Sequence, residues 1–330
     1  MAILVTGGAG YIGSHTVVEL INQGEEVVVI DNLATGHEQA VTGGTFYKGD
    51  LRDRSFLDEV FSKHEIEAVI HFAASSLVGE SVSKPLDYYE NNLIASHILV
   101  SAMLAHDVKK IVFSSTAATY GEPKSVPIKE TDETNPTSPY GETKLAMERM
   151  FRWSDKAYGL KSISLRYFNA AGAHPEGRIG EDHNPESHLI PIILQVALGQ
   201  REHISIFGDD YPTEDGTCIR DYIHVMDLAN AHWLALENLR KNDTSDVFNL
   251  GNGTGFSVKE VIETARSVTG KQIPEVVSPR RPGDPAVLIA TSEKAQSTLG
   301  WKPKYNNLET IIETAWNWHK DHPDGYNDSK

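Results

Sequence analysis

The stretch AILVTGGAGYIG, residues 2–13, decides the fold of this 330-residue chain. It starts with an apolar run of strand length, and Gly7, Gly10 and Gly13 follow at three-residue intervals while a helical pattern begins at Tyr11. A sharp turn, close approach of the backbone to a pyrophosphate, and tight packing of a helix on a strand each favour a residue without a side chain. The helix would offer free N–H groups and its positive dipole end to the phosphates. The stretch therefore predicts a dinucleotide-binding turn, although glycines alone also mark ordinary turns.

The rest of the first half repeats this rhythm of strand and helix. Short apolar runs such as residues 27–30, 68–72 and 111–115 alternate with stretches whose apolar residues recur every three or four positions. The runs lack polar alternation, as expected of strands that are buried on both faces. The pattern predicts an α/β fold, namely a Rossmann-type doubly wound parallel sheet with a smaller C-terminal α/β substrate domain.

The rhythm breaks near residue 169, where Gly, Pro, His and acidic residues become frequent. We therefore expect a nucleotide-binding domain over residues 1–168, to which the chain returns around residues 217–250. Residues 169–330 are expected to form the substrate-binding domain.

An acidic residue, Asp31, ends the second predicted strand. Its carboxylate can hydrogen-bond both ribose hydroxyls of an adenosine and would repel a 2′-phosphate, and no Arg or Lys follows within residues 32–36. The sequence therefore favours NAD over NADP. Past the third strand, Asp50 with Leu51 is either an adenine contact or a simple turn, and the spacing does not separate the two.

Tyr140 and Lys144 stand four residues apart at the start of a predicted helix and so share one face of it. A lysine ammonium beside a phenol is expected to lower the pKa of the tyrosine from about 10 towards neutrality. A phenolate could then take a proton from a sugar hydroxyl as hydride leaves the same carbon. The other Tyr-x-x-x-Lys strings, at residues 120–124 and 326–330, lie in a turn and in the C-terminal tail.

Hydroxyl-bearing residues close the fifth predicted strand at Ser114, Ser115 and Thr116. Sheets of this class place their ligands at the C-terminal ends of the strands, so a hydroxyl here could hold a substrate oxygen beside Tyr140. The alternative is that these are solvated turn residues.

The chain is strongly acidic, with 46 Asp and Glu against 30 Lys and Arg and a net charge of −16. This charge repels nucleic acid and anionic lipid, so we expect neither nucleic acid nor a membrane as a partner. The one cysteine, Cys218, excludes an internal disulfide and is compatible with the cytoplasm, where we expect the protein to act. We see no signal peptide or membrane span, and we expect no metal site.

Seven motifs resemble those of the extended short-chain dehydrogenase/reductase family, and the resemblance runs from about residue 2 to residue 318. They are TGGAGYIG (6–13), DN (31–32), HFAA (71–74), SSTAATYG (114–121), SPYGETK (138–144), RYFNAAGA (166–173) and GTCIRDYIHVMDLA (216–229). The resemblance is strongest to the sugar-nucleotide epimerases of the family. It implies tightly bound NAD, a homodimer, and reversible C4 epimerisation of UDP-galactose and UDP-glucose through a transient 4-keto intermediate.

The resemblance also implies roles for individual residues. Tyr140 would exchange the proton of the 4-hydroxyl, Lys144 would lower the pKa of Tyr140, and Thr116 would hold the hydroxyl. The implied cofactor-binding residues are Gly7, Gly10, Tyr11, Ile12, Gly13, Asp31, Asn32, Asp50, Leu51, Phe72, Ala73, Ala74, Asn91, Ser114, Tyr140, Lys144 and Tyr167. The implied substrate-binding residues are Thr116, Tyr140, Asn169, His188, Leu189, Ser205, Phe207, Arg220, Arg281, Asp284 and Leu288.

Four positions depart from the pattern of many family members. Thr116 stands where many have Ser, and the threonine still provides a hydroxyl group. Ser76 replaces a lysine that would contact the cofactor, and His188 replaces an Asn beside the substrate. Leu288 occupies the position that gates the sugar pocket, where a large Tyr goes with rejection of N-acetylated sugars and a small residue with their acceptance.

Several related activities compete with this interpretation. Dehydration is disfavoured, because the acid–base pair of the 4,6-dehydratases is replaced after Thr116 by Ala117-Ala118. Epimerisation of UDP-N-acetylglucosamine or UDP-glucuronate, and net dehydrogenation, stay open. A non-catalytic NAD-sensing protein would typically have lost Tyr140 or Lys144. In a homodimer, helices over residues 93–105 and 144–157 could pair across a two-fold axis.

Overall fold

The computed structural model describes residues 1–281 and 284–326. Its helices are α1 (Tyr11–Asn22), α2 (Arg54–Lys63), α3 (Val78–Ser83), α4 (Pro85–Tyr88), α5 (Ala95–Ala105), α6 (Pro139–Tyr158), α7 (Leu189–Ala197), α8 (Val225–Asn242), α9 (Val258–Thr269), α10 (Glu293–Leu299) and α11 (Leu308–Asp321). Its strands are β1 (Ala2–Thr6), β2 (Glu26–Asp31), β3 (Thr45–Lys48), β4 (Ile66–His71), β5 (Lys110–Ser114), β6 (Lys161–Arg166), β7 (Asn169–Ala171), β8 (Ile204–Phe207), β9 (Ile219–Arg220), β10 (Tyr222–His224), β11 (Asp246–Asn249), β12 (Phe256–Ser257), β13 (Glu275–Ser278) and β14 (Val287–Leu288). Short 3₁₀ turns cover Glu38–Ala40 and Ala117–Tyr120, and a π-helical turn covers Tyr89–Ile94.

The central sheet has seven parallel strands in the order β3-β2-β1-β4-β5-β6-β11. The chain runs outward from β1 in one direction and then, from β4, in the other. This reversal leaves a crevice at the carboxyl ends of β1 and β4, which is where open parallel sheets bind nucleotides. The prediction of a Rossmann-type doubly wound sheet is confirmed, and β11 adds a late strand beside β6.

Helices cover both faces of the sheet because the strands bury side chains on both. Ile3 and Val5 of β1 pack on one face with residues of α1, α8 and α10, whereas Ala2 and Leu4 pack on the other face with residues of α2, α5 and α6. Neither face of β1 is available to water, which explains its unbroken apolar sequence. None of the described helices combines the length and apolar character needed to cross a bilayer.

A smaller body follows the sixth strand. The helices α7, α9 and α11 enclose a third core together with β8. Short strands join it in three small sheets, β7 with β10, β8 with β13, and β9 between β12 and β14. Helix α9 begins with a capping box, in which the Ser257 hydroxyl accepts from the amide of Glu260 and the Glu260 carboxylate accepts from the amide of Ser257.

A buried ion pair connects α6 to the central sheet. The guanidinium of Arg166, at the end of β6, donates to the Glu148 carboxylate of α6 at 2.9 and 2.5 Å. Ser115, just past β5, donates to the same carboxylate at 2.5 Å. All three side chains are buried. This contact fixes the position of α6 relative to the strand ends that carry the hydroxyl residues.

We expect Arg166→Met to lower the free energy of unfolding by about 3–5 kcal/mol, because it leaves the buried Glu148 carboxylate without a cation. Urea unfolding followed by circular dichroism measures the loss. The double variant Glu148→Leu/Arg166→Met should recover much of it. Arg149→Met, which removes an exposed cation of α6 that lies 3.9 Å from Glu142, is the control and should change stability by less than about 1 kcal/mol. Equal effects of the two arginine variants would contradict the assignment.

Candidate nucleotide-binding and catalytic site

Two close backbone approaches shape the glycine turn between β1 and α1. Gly7 has a positive φ of 73°, and a Cβ atom there would lie 2.5 Å from the amide nitrogen of Ala73. A Cβ atom on Gly13 would lie 2.1 Å from the carbonyl oxygen of Gly7. By contrast, a Cβ atom on Gly10 would meet only that oxygen within 4 Å among the described residues, at 3.3 Å. The side of the turn at Gly10 therefore has room for a pyrophosphate.

The first turn of α1 carries Tyr11 and Ile12. The Tyr11 hydroxyl donates to the carbonyl oxygen of Gly172 at 2.6 Å, and Ile12 packs against the core. Gly10 is the N-cap, and no side chain of the described residues caps this helix. The backbone N–H groups of the first turn are thus the groups that fit a phosphate, as predicted from the glycine spacing.

Asp31 is buried at the end of β2 and bonds to the glycine turn. Its carboxylate accepts from the amide of Ala9 at 3.0 Å and from the amide of Leu33 at 2.8 Å. Burial raises the pKa of Asp31, and these two N–H donors act against that rise. Each oxygen keeps a lone pair, so the geometry fits the ribose contact that the sequence predicts, which stays a prediction.

A further cation, missed by the sequence analysis, lies at this edge of the sheet. Arg52 donates to Asp50 at 2.8 Å and to Glu90 at 3.1 Å, and this contact holds the pKa of Asp50 well below its usual range. Asn32 donates to Asp50 at 3.3 Å, and Leu51 is buried in the core. Since two carboxylates pair with Arg52, its presence does not indicate a binding site for the 2′-phosphate of NADP.

The segment after β4 lies against the glycine turn. The amides of Phe72 and Ala73 both donate to the carbonyl oxygen of Thr6, at 2.9 and 3.1 Å. The Phe72 ring packs on the ring of His232 with centroids 4.6 Å apart, and Ala74 is partly buried. The residues predicted to line the cofactor site therefore lie at the crevice, next to Gly7.

An asparagine pair follows on the π-helical turn. Asn91, which the sequence predicts as a cofactor contact, donates to the Ser75 hydroxyl at 2.9 Å. The buried Asn92 was not predicted. It accepts from the Ser75 amide at 2.8 Å and donates to the Thr143 hydroxyl of α6 at 3.1 Å. Asn92 thus connects the segment after β4 to the helix that carries Tyr140, while Ser76 is exposed.

Tyr140 and Lys144 occupy the first two turns of α6, as predicted. Ser138 caps the helix by accepting from the amide of Gly141 at 3.2 Å. The Lys144 ammonium donates to the carbonyl oxygen of Ser114 at 2.8 Å, and its nitrogen lies 5.9 Å from the centroid of the Tyr140 ring. The helix start and the end of β5 are therefore joined through the lysine.

The predicted direction of the Tyr140 pKa shift is wrong. Burial raises the pKa of Tyr140 above its usual value, and the Thr116 hydroxyl, which hydrogen-bonds it, only partly offsets the rise. Burial also lowers the pKa of Lys144 to about 7, although Glu148 acts in the opposite direction. Burial thus acts against the charged forms of both side chains, which the argument from spacing did not take into account.

The other two Tyr-x-x-x-Lys strings do not form such a pair. Tyr120 is buried and donates to Asn249 at 2.7 Å, whereas Lys124 is exposed and contacts Glu133 at 2.7 Å. Lys330 lies outside the described residues.

Hydroxyl and amide side chains lie at and just past the carboxyl ends of β5 and β6. The Ser114 hydroxyl and the Tyr167 hydroxyl lie 2.6 Å apart, and both residues are buried. Thr116 accepts from the amide of Ala118 at 3.1 Å, which leaves its own hydroxyl proton free to donate. Asn169 donates to the carbonyl oxygen of Asp221 at 2.8 Å. Thr116 is therefore the hydroxyl that accompanies Tyr140.

Predicted substrate residues come together on the small sheets. Arg220 of β9 lies in register with Leu288 of β14 and forms an ion pair with Asp284. The Arg281 guanidinium lies 3.9 Å from the centroid of the Phe207 ring of β8. Leu189 begins α7, and Ser205 lies within β8, the strand that ends at Phe207.

An open cavity of about 720 Å³ adjoins these side chains. Its volume suits a nucleotide-sized ligand. Its lining consists of Glu122, Pro123, Lys124, Ser125, Val126, Pro212, Arg280, Arg281, Asp284, Pro285, Ala286 and Val287. Arg281 and Asp284 are thus shared between the cavity and the predicted substrate set.

His188 is surrounded by charged groups that the sequence analysis did not connect. Its Nδ1 lies 2.5 Å from Glu181 and 3.6 Å from Glu186, and His183 also contacts Glu181. These carboxylates raise the pKa of His188 to about 9 despite its burial. The predicted substrate contact at this position therefore lies in a cluster of carboxylates and imidazoles.

Comparison with known proteins agrees with this geometry. A family model described as "NAD dependent epimerase/dehydratase family" matches residues 3–251. The chain is 70% identical to a UDP-glucose 4-epimerase of Halalkalibacterium halodurans, over 99% of this chain and 98% of that protein.

Solved structures are equally similar. One crystal structure of a UDP-glucose 4-epimerase superposes with a TM-score of 0.98 at 59% identity, covering 99% of each chain. The enzyme of Bifidobacterium longum in complex with NAD⁺ and UDP superposes with a TM-score of 0.93 at 41% identity, covering 99% of this chain and 100% of that one. Given the glycine turn, the Tyr140/Lys144 helix and these full-length matches, the chain belongs to the NAD-dependent epimerase/dehydratase family.

Proposed function

We propose that this protein interconverts UDP-galactose and UDP-glucose by reversible epimerisation at C4. The observation that carries the proposal is the position of Tyr140, with the Thr116 hydroxyl and Lys144, at the carboxyl end of β5, on the same edge of the parallel sheet as the glycine turn. Full-length similarity to proteins named UDP-glucose 4-epimerase supports the same reaction.

NAD is the cofactor, and the crevice has the groups that fit it. The open side of Gly10 and the first turn of α1 would hold its pyrophosphate, and Asp31 its adenosine ribose. When bound, NAD supplies the acceptor of the C4 hydride and the donor that gives it back. Because the hydride returns, the reaction has no net redox change and NAD is not consumed.

The protein's own residues exchange the proton and hold the sugar. Tyr140 takes the proton of the C4 hydroxyl in one direction and returns it in the other, with Thr116 donating a hydrogen bond to the same oxygen. Lys144 holds the start of α6 against the Ser114 carbonyl. Because burial raises the pKa of Tyr140, its phenolate is a stronger base towards the C4 hydroxyl proton, and its phenol is a weaker acid when the proton is returned.

The substrate's diphosphate needs local positive charge in a protein with a net charge of −16. We place it near Arg220 and Arg281, with Asp284 and Phe207 towards the uridine. Asn169, Leu189 and Ser205 would complete this side. The cavity at Arg281 and Asp284 supports that placement, and the same grouping leads us to assign the smaller body to substrate binding.

Leu288 leaves a second substrate class open. It lies in register with Arg220 and is intermediate in size between a tyrosine and a small residue, so the sequence does not decide whether an N-acetyl group is accepted. Turnover of UDP-N-acetylgalactosamine, measured beside UDP-galactose, separates the two specificities.

We also propose a homodimer that acts in the cytoplasm in galactose metabolism. Apolar side chains are exposed on neighbouring helical segments, with Val82 of α3 64% exposed, Leu86 of α4 79%, Ile94 of the π-helical turn 49% and Trp153 of α6 62%. Both α3 and α4 pack on α6, so these side chains lie on one side of the protein. A second copy of the chain would cover this surface.

The purified protein should convert UDP-galactose into UDP-glucose without added NAD or oxidant. Chromatography of the sugar nucleotides follows the conversion, and absorbance follows NADH. Approach to one equilibrium ratio from either sugar, with no accumulation of NADH, is expected. Failure of turnover by protein that carries NAD, or release of NADH in amounts equal to the product, would contradict the proposed function.

Tyr140→Phe should reduce turnover by at least about 100-fold, because positioned acid–base groups contribute 10²–10⁴-fold. The variant keeps the ring and should keep its bound NAD, which the absorbance of denatured protein reports. Tyr158→Phe, at the exposed end of the same helix, is the matched control and should retain activity. Near-normal turnover of Tyr140→Phe would remove that residue from the chemistry.

The double variant Leu86→Asp/Trp153→Glu should halve the molar mass measured by light scattering, because it places charges in the proposed dimer surface. Val276→Asp, on the exposed strand β13, is the control and should leave the mass unchanged. A wild-type protein with the mass of one chain, or a dimer that persists in the double variant, would refute this surface.

A further inference from the structure

Four potential metal ligands converge in one short segment between β7 and α7. They are Glu181, His183, Glu186 and His188, and one donor atom from each lies within 4.8 Å of all the others. The segment ends where α7 begins, with His188 as its N-cap residue. His188 is also a predicted substrate contact, but the proposed epimerisation gives no role to Glu181, His183 or Glu186.

The distances within the cluster are close to those of a tetrahedral site. Nδ1 of His183 lies 3.2 Å from Glu181 and 3.9 Å from Glu186, and Nδ1 of His188 lies 3.6 Å from Glu186. Bonds of 2.0–2.1 Å from a zinc ion to four ligands place neighbouring ligand atoms about 3.3 Å apart. To admit an ion, the 2.5 Å contact between His188 and Glu181 would have to lengthen and the 3.9 Å contact between His183 and Glu186 would have to shorten.

The burial and hydrogen bonding of these side chains also indicate a metal site. The side chains of Glu181 and Glu186 are only 3% and 4% exposed, and no Lys or Arg within the described ranges pairs with either. Nδ1 of His183 is buried and makes no well-directed hydrogen bond to any described residue. This ring nitrogen therefore faces two buried carboxylates, at 3.2 and 3.9 Å, in a geometry that does not favour a hydrogen bond to either.

One of the carboxylates is already oriented for a ligand. The amides of Ser187 and His188 donate to one oxygen of Glu186, at 2.7 and 2.8 Å, which leaves its other oxygen facing His183. Hydrogen bonds of this kind fix the orientation of ligating groups in metal sites.

We propose that Glu181, His183, Glu186 and His188 bind one divalent transition-metal ion of the zinc type. Imidazole nitrogens favour zinc and its neighbours, whereas Mg²⁺ and Ca²⁺ favour sites made of oxygen alone. Four protein ligands fill a tetrahedral shell and leave no open position for substrate, so the ion is structural. It fastens residues 181–188 beside the glycine turn, where the rings of His183 and Tyr11 lie 6.1 Å apart.

This site does not depend on the proposed function, and its test measures metal and not turnover. The NAD-loaded protein is treated with a chelator, dialysed against Zn²⁺ and analysed by elemental mass spectrometry, with bound NAD measured in the same samples. We expect one Zn²⁺ per chain, a higher melting temperature with Zn²⁺, and no competition from excess Mg²⁺. His183→Gln and His188→Asn should lose the bound ion. His64→Asn, which removes a histidine bonded to Tyr47 elsewhere, should keep it.

Substitution with Co²⁺ tests the unmodified chain, so the proposal stays open to refutation even if the variants fold poorly. Tetrahedral Co²⁺ gives intense visible absorption, and the one cysteine of the chain is at residue 218, outside the cluster. Absence of stoichiometric Zn²⁺ and of this absorption would show that the cluster is an ion-pair network only. Zn²⁺ that persists in both histidine variants would place the ion elsewhere and overturn the proposal.

Discussion

Residue 13 can have no side chain, because a Cβ atom there would lie 2.1 Å from the carbonyl oxygen of Gly7. This close approach lets α1 start at Tyr11, soon after β1 ends at Thr6, and no described side chain caps its first N–H groups. The rest of the crevice is built around the same turn. Ala73 contacts it from the segment after β4, the Asp31 carboxylate contacts it from β2, and the Tyr11 hydroxyl reaches Gly172 in the following body. A cofactor bound at this turn therefore contacts parts of the chain that are distant in sequence.

The second half of the site depends on how α6 is held. Lys144 bonds to the Ser114 carbonyl, Glu148 receives Arg166 and Ser115, and Thr143 receives Asn92. Successive turns of one helix are thus bonded to β5, β6 and the π-helical turn. Tyr140 stands at the open end of this helix, where its hydroxyl meets Thr116. Such bonding holds a reacting group in place, which is a large part of what an active site contributes to rate.

The sequence predicted the fold well because its signals are local. Unbroken apolar runs identify buried parallel strands, the spacing of Gly7, Gly10 and Gly13 identifies the turn, and Tyr140 with Lys144 falls on a helix start. Partners far apart in sequence were not predictable in this way. Arg52, Asn92 and Glu148 had no local signal, since their roles depend on contacts across the sheet.

The pKa of Tyr140 was predicted wrongly for a related reason. Spacing shows that a lysine is close, but it does not show how deeply both groups are buried or that the lysine bonds to a carbonyl oxygen. The histidines and glutamates between residues 181 and 188 were also overlooked as a group, because the segment has no regular period to suggest that its side chains converge. Resemblance to a family drew attention to His188 alone.

The ion pair between Arg220 and Asp284 has a consequence for how the protein releases its ligand. Both residues are proposed to bind the sugar nucleotide, yet without it they already form an ion pair with each other. Binding therefore exchanges one ionic contact for another and does not fill an empty charged pocket, so the net gain in affinity is small. Because the proposed contacts are to the diphosphate and the uridine, which the two epimers share, the exchange would weaken both equally. A reversible catalyst benefits from such symmetry, since neither sugar nucleotide becomes trapped as the tighter-bound product.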